Sequence, residues 1–270
     1  PSINDSKKIE FTIKKNGNRY AGKPDIRDFD ELILIGGSFT QGAGVSDSET
    51  FAYQLQSKLV NYNVLNYGQS GYGSVQSLLL LNEVLKKKNK SKIIIYGFIN
   101  HHLRRNVARG QWLETLQKST SEGFSQKPSI PYGIIDKNDN LKIMPKISYL
   151  TLPLRDKSAL ITIIEKVYMK QTTKKRKKIQ FEVLKKTIKK MDELAKKNNS
   201  KLIVVNLSLD KKKSDSYLVE MSQDNSFNYL DCRTPNFEVY ALKNEYHPNY
   251  KGHKYYSECI YKYLNKKLFL

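Results

Sequence analysis

Three residues of this chain have the types and settings for nucleophilic chemistry: Ser38, His247 and Glu245. Ser38 ends the run Leu32-Ile33-Leu34-Ile35-Gly36-Gly37-Ser38. Four apolar residues followed by two glycines read as a strand buried on both faces that turns sharply as it leaves the sheet. Open α/β sheets place their ligands at that end of a strand. A serine hydroxyl attacks a carbonyl well only when a base takes its proton and a third group orients the base. His247, in Asn244-Glu245-Tyr246-His247-Pro248-Asn249, can be that base. Glu245 can reach back to its ring if Pro248 fixes a tight turn. Gly-Gly-Ser is also ordinary turn composition, so Ser38 gains chemical meaning only with its partners.

Acyl transfer also needs donors for the oxyanion. The Ser38 N–H is one. Asn66-Tyr67-Gly68-Gln69-Ser70-Gly71-Tyr72-Gly73 supplies a glycine-rich turn in which Gly68 can turn its N–H inward. Gly97-Phe98-Ile99-Asn100 offers a side-chain amide, with His101, His102 and Asn106 as nearby alternatives. Arg104 and Arg105 follow directly and can hold an anionic substrate group in bidentate fashion. Trp112, Tyr132 and Tyr149 can stack on sugar rings or simply fill a core.

The elements that must position these residues follow a βα rhythm. Residues 32–35, 63–67, 92–98, 202–207 and 227–231 read as strands. Helices are expected over 50–60 with Ser48 as N-cap, over 75–88, 177–198 and 214–224, and from Tyr250 to Leu268. Strands separated by helices imply a parallel sheet with helices on both faces. Ser38, Gly68, Asn100 and His247 then fall on one rim, each just after a strand. Residues 1–30 read as a polar arm, with an edge strand at Ile9–Ile13 and turns at Asn16-Gly17 and Ala21-Gly22-Lys23-Pro24. Residues from about 103 to 172 break the rhythm and read as an insertion over the sheet, carrying a hairpin turn at Asp136–Asn140. No second domain or repeat is visible, so residues 1–270 read as one domain.

The composition narrows the function classes. The formal net charge is +21, enough to attract nucleic acid, anionic lipid or acidic polysaccharide. It comes mainly from lysine runs such as Lys86-Lys87-Lys88 and Lys174-Lys175-Arg176-Lys177-Lys178. These read as solvated helix faces, because nucleic-acid surfaces interleave arginine and aromatics; no nucleic-acid partner is expected. No apolar run is long enough to span a bilayer. The chain starts at Pro1, so an upstream anchor or signal is an open expectation, and the compartment stays open between cell envelope and cytoplasm. Cys232 and Cys259 read as buried free thiols, with a single bridge as the alternative. Nothing suggests a metal or other cofactor.

Four ordered blocks resemble the SGNH/GDSL hydrolase superfamily. Gly36-Gly37-Ser38-Phe39-Thr40-Gln41-Gly42 is similar to its serine block, with Gly37 in place of the usual aspartate. The stretches Asn66–Gly73, Gly97–Asn100 and Glu245–Asn249 with Gly252-His253 are similar to its glycine, asparagine and histidine blocks. Asn16-Gly17-Asn18-Arg19 resembles a lead-in found in bacterial members. The likeness covers about residues 9–100 and 200–265. It implies a flavodoxin-like three-layer α/β/α sandwich; with the elements read above, the central parallel sheet has about five strands and the insertion follows the third core strand. It implies serine esterase or O-acyltransferase activity without cofactor. Ser38 would be nucleophile and His247 base, with Ser38, Gly68 and Asn100 forming the oxyanion hole. The acid usually stands three residues before the histidine; Asn244 is there, so either Glu245 completes a triad or Ser38 and His247 act as a dyad. The expected substrate is an acyl ester, favouring acetyl on a bacterial surface carbohydrate. Two other classes remain: a binding protein on the same fold with decayed catalysis, and a basic nucleic-acid binder.

Overall fold

The computed structural model describes residues 8–22, 29–87, 91–119, 127–209, 216–225, 227–243 and 245–268. Lys23, Pro24, Lys88, Ser214, Asp215 and Asn244, named above, lie outside these. The chain divides into two compact units. The first comprises Pro1–Ser70, Leu81–Ile99 and Asp192–Leu270; the second comprises Gly71–Leu80 and Asn100–Met191.

The first unit holds a five-stranded sheet: β1 (Asp30–Gly36), β2 (Tyr62–Asn66), β3 (Ser91–Phe98), β6 (Lys201–Asn206) and β7 (Asn228–Asp231). The strands lie in the order β2-β1-β3-β6-β7, and every pairing is parallel. This is the doubly wound order of flavodoxin-like folds, and its direction reverses between β1 and β3. The near-continuous apolar runs of β1 and β3 suit strands covered on both faces. Leu32, Leu34, Ile93, Ile95, Ile203 and Val205 point into one core layer. There they meet Phe51 and Leu55 of α2 (Phe51–Lys58) and Tyr256, Ile260 and Leu264 of α9 (Tyr250–Leu268). On the other face Phe98 packs edge-on against Tyr217 of α7 (Ser216–Asn225).

The second unit carries the hairpin β4 (Ile130–Ile135) and β5 (Leu141–Ile147) and the helices α4 (His101–Asn106) and α5 (Gly110–Ser119). The hairpin turns where the sequence suggests: Asp136 Oδ1 accepts from the N–H groups of Asn138 and Asn140. Ala108, Leu113 and Tyr149 form a small core of its own. Two helices run through both units, α3 (Ser74–Leu85) and the 39-residue α6 (Ala159–Lys197).

Several expectations need correction. Cys232 and Cys259 are not free thiols: they form a disulfide with Cα atoms 5.9 Å apart, joining the end of β7 to α9. Their separation of 27 residues hid a contact made by packing the last helix beside the last strand. Ile9–Ile13 is no edge strand; only Ile13 pairs, in an isolated bridge to Arg19. Thr50 rather than Ser48 caps α2, its Oγ1 accepting from Tyr53 N–H at 3.2 Å. Ser48 sits inside the 3-10 turn Asp47–Glu49. α6 starts at Ala159, eighteen residues before the expected Lys177: the helical spacing already begins with Leu160, Ile163, Ile164, Val167 and Tyr168, on a face that stays exposed. A one-turn helix α8 (Phe237–Tyr240) stands where a loop is expected between β7 and α9.

Gly36 and Gly97 are paired across β1 and β3. A Cβ on either would collide with Thr40 Oγ1, so the two strand ends form a bare seat for that side chain. We expect Gly97→Ala to destabilise the fold by about 1–3 kcal/mol through overpacking. Adding Thr40→Ala should recover much of the loss in urea denaturation; no recovery would mean the seat is not made by Thr40.

Candidate active site

The serine turn is built by one short helix, α1 (Ser38–Gln41), set across the carboxyl ends of β1 and β3. Gly36 has φ +153 and Gly42, which closes α1, has φ +87. Gly42 donates its N–H to Ser38 O at 2.8 Å. Gly68 lies so close that a Cβ there would strike the backbone of Thr40 and Gln41. The Ser38 side chain is only 4% exposed.

The chain returns to this turn 209 residues later: His247 Nε2 lies 3.0 Å from Ser38 Oγ. That is hydrogen-bond geometry between a hydroxyl and a ring nitrogen. The histidine loop is pinned at its base. Ala241 and Pro248 form an antiparallel bridge, Leu242 N–H donates to His247 O at 2.8 Å, and Asn249 Nδ2 donates to Val239 O and Ala241 O. Phe39, the residue after Ser38, packs on the His247 ring with centroids 5.7 Å apart. Glu245 Oε2 stands 3.6 Å from His247 Nδ1. This is ion-pair distance and longer than a hydrogen bond, and the carboxylate is 60% exposed.

The other expected site residues divide. Gly68 sits against α1, but its N–H donates to Asn66 Oδ1 at 3.0 Å and is thereby engaged. Among the described residues no hydrogen bond occupies the Ser38 N–H at the start of α1. Asn100 lies in the second unit, immediately before α4, and does not cap it with its side chain. Asn106 caps a different helix: its Oδ1 accepts from Ser74 N–H at 2.7 Å and Val75 N–H at 3.4 Å. His102 is fully buried, and burial, then Arg105 and His101, holds its ring far below the usual histidine range. Arg104 and Arg105 both lie over Trp112, at 5.7 and 4.4 Å from its ring. Arg105 Nη1 also donates to Tyr72 O at 2.8 Å. Tyr132 carries Arg176 over its ring, and Tyr149 OH donates to buried Glu165.

Two residues that the sequence reading did not single out for the site hold the serine turn. Arg19 is fully buried. Its Nε donates to Asp47 Oδ1 at 2.7 Å, Nη1 to the carbonyls of Gln41 and Gly42, and Nη2 to those of Val45 and Glu10. Burial lowers its pKa and Asp47 opposes that. Asn66 takes Gly68 N–H on its oxygen and donates from Nδ2 to Thr40 O at 2.9 Å. Arginine in a polar arm reads as a surface residue; the available signals are the Asn16-Gly17 turn that sends the chain back past Asn66 and the place of Arg19 and Asn66 in the lead-in and glycine blocks. His253, beside the catalytic candidates in sequence, is structural. It is stacked on Phe51, and its Nδ1 accepts from Phe51 N–H at 3.3 Å. Burial, then the charges of Arg19 and His247, takes its pKa down to about 3.

No family model matches the sequence, and no curated protein matches it. Solved structures do. The chain is similar to the psychrotrophic esterase EstA from Pseudoalteromonas sp., with 12% identity over 87% of this chain and 99% of that one, TM-score 0.48. A lipolytic protein of the G-D-S-L family from Veillonella parvula gives 12% identity, 88% and 99% coverage, and TM-score 0.47. A variant of Axe2, an acetyl xylan esterase from Geobacillus stearothermophilus, gives 11% identity, 86% and 93% coverage, and TM-score 0.46. By name these neighbours are two esterases and a lipolytic protein of the G-D-S-L family. The roles of individual residues rest on the distances above.

Two outcomes follow for stability. Arg19→Lys leaves one ammonium to serve Asp47 and four carbonyls, and should cost about 3–5 kcal/mol in urea unfolding; a loss below about 1 kcal/mol would place the guanidinium among weak surface pairs. His253 is neutral in the fold and titrates near 6.5 when unfolded. The unfolded state therefore binds more protons below pH 6.5, so this stabilisation is present above pH 6.5 and is lost as pH falls towards about 3. The loss is at most about 1.4 kcal/mol per pH unit. Unfolding of His253→Phe followed from pH 7 to 4 should show a shallower slope than wild type; equal slopes would exclude this histidine.

Proposed function

We propose that the chain is a serine ester hydrolase or O-acyltransferase with Ser38 as nucleophile. The observation that carries this reading is the 3.0 Å approach of His247 Nε2 to Ser38 Oγ across 209 residues of sequence. Ser38 begins α1 directly after β1, where the strand order reverses between β1 and β3, the place open α/β sheets offer a ligand. As Ser38 Oγ bonds to the ester carbonyl carbon, His247 Nε2 takes its proton and the carbonyl oxygen becomes an oxyanion. The Ser38 N–H, without an acceptor among the described residues, is the proposed first donor to it. When the tetrahedral adduct collapses, the ester C–O bond breaks and the departing alcohol takes the proton from His247. Water or a sugar hydroxyl then repeats the sequence on the acyl-enzyme, giving hydrolysis or transfer.

Glu245 orients His247 through Nδ1 in this reading. At 3.6 Å and largely exposed, it contributes less than a buried, hydrogen-bonded acid would, and the pair works close to a dyad. Such bonds often tighten only once substrate is bound. Gly68 and Asn100 remain proposed members of the oxyanion hole, with Asn66 Oδ1 competing for the Gly68 amide. An acetyl ester is favoured, because a serine with so little exposure is best reached by a slim acyl group; the surface-carbohydrate alcohol is the proposed acceptor or leaving group.

An aryl-acetate assay with phosphonate labelling tests this. Ser38→Ala should abolish labelling, and Ser38→Ala and His247→Ala should each lower kcat by about a thousandfold or more. Glu245→Gln should cost only about tenfold, the signature of a weakly coupled orienter. Folded wild-type protein that neither hydrolyses the ester nor labels at Ser38 would favour the decayed binding protein instead. Adding a carbohydrate acceptor separates transfer from hydrolysis by where the acetyl group ends.

A further inference from the structure

The second unit exposes an apolar stripe. On the first turns of α6, Leu160, Ile163, Ile164, Val167 and Tyr168 are 66%, 57%, 51%, 49% and 51% exposed. Their spacing of three and four residues puts them on one face of the helix. Leu154, in the loop just before, is 62% exposed in the left-handed backbone region at φ +61. Isolated exposed aliphatics need no explanation, but a contiguous set marks an interaction surface.

The next turns of the same helix say what kind of surface. Continuing the face by 100° per residue, the apolar positions give way to Lys174, Lys175 and Lys178, with Lys170 at the edge. From Lys157 to Lys178 the only carboxylate is Glu165. It is turned inward, where Tyr149 OH, Leu152 N–H and Arg155 occupy it. The outward face therefore reads as branched aliphatics followed by uncompensated lysine.

We propose that this face of α6 lies on an anionic lipid surface. Its aliphatic turns would enter the acyl boundary, and the lysines would reach the headgroup phosphates along their flexible stems. Charge decides against a second copy of the chain: pairing two such faces sets lysine rim against lysine rim in a protein of net charge +21. An acidic polysaccharide would answer the lysines but leave the aliphatic turns in water. A protein partner would be expected to find aromatic and arginine anchors, whereas this stripe is aliphatic apart from Tyr168. Among the described residues no helix is long and apolar enough to cross a membrane, so the contact is peripheral.

The test is co-sedimentation of the full chain with vesicles of equal phosphatidylglycerol and phosphatidylcholine, against phosphatidylcholine alone. Wild type should pellet with the anionic vesicles and weakly with the neutral ones. Ile163→Gln with Val167→Gln leaves the net charge unchanged and should weaken partitioning by about tenfold or more. Lys174→Glu with Lys175→Glu should do so as well, with a reduced salt dependence. Circular dichroism confirms folding, and a polarity-sensitive dye on Val167→Cys should shift to the blue on anionic vesicles whatever the fate of the other variants. The proposal is overturned by any of four results. These are no wild-type binding, equal binding to neutral vesicles, full binding by the glutamine pair, which would reduce the effect to charge adsorption, or a concentration-dependent dimer that the glutamine pair abolishes.

Discussion

A buried guanidinium holds the serine turn in shape. Arg19 has no contact with solvent, and an unpaired charge there would be prohibitive. Asp47 neutralises it, and its remaining donors go to carbonyls of Gln41, Gly42, Val45 and Glu10. Those of Gln41 and Gly42 lie at the carboxyl end of α1, where a helix leaves acceptors unsatisfied and carries partial negative charge. One side chain thus ties the arm, the helix that starts with Ser38, and the loop after it. Asp47 is in turn held by Thr12 N–H. The arrangement is cooperative: removing any member leaves a buried polar group without a partner.

Close backbone approach completes the seat. Gly36, Gly97 and Gly68 each stand where a Cβ would hit α1, so the helix packs directly on the strand ends and on the loop after β2. Asn66 ties that loop to Thr40 O. The position of Ser38 therefore rests on the Thr40 side chain seated on Gly36 and Gly97, on the backbone contact at Gly68 and on buried amides. The histidine side is braced differently. Its loop is closed by the Ala241–Pro248 bridge and the Asn249 side chain, and Asn249 O receives the His253 N–H one turn into α9. The Cys232–Cys259 disulfide fastens α9 to the end of β7. Glu245 lies within that loop, its N–H donating to Leu242 O at 3.4 Å, while its side chain is 60% exposed.

The charge of the chain is distributed by role. Arginines are buried where planar, multidentate geometry is needed: Arg19 at the serine turn and Arg105 between Trp112 and Tyr72 O. Lysine crowds the outward face of α6. This follows from the chemistry of the two groups, since a guanidinium holds several acceptors in fixed directions while an ammonium on a long stem keeps its hydration.

The strands and their parallel sense were readable in the sequence, because buried strands demand apolar runs and βα units demand one connection hand. The block around Ser38 was readable for a similar reason: a strand that must turn under a helix requires glycine at Gly36. Other features had no local signature. Arg19, Asn66 and Asp47 are ordinary polar residues until packing brings them together. The disulfide joins residues from separate elements. Asn106, a plausible oxyanion donor by position, turned out to cap α3. The early start of α6 does have a local signature, the three-and-four spacing of Leu160, Ile163, Ile164, Val167 and Tyr168; that this face stays exposed is what the tertiary structure adds. Local chemistry sets which backbone shapes a segment can take. Which buried donor meets which acceptor depends on contacts between segments far apart in the chain, and here those contacts set the distance between a serine and its histidine.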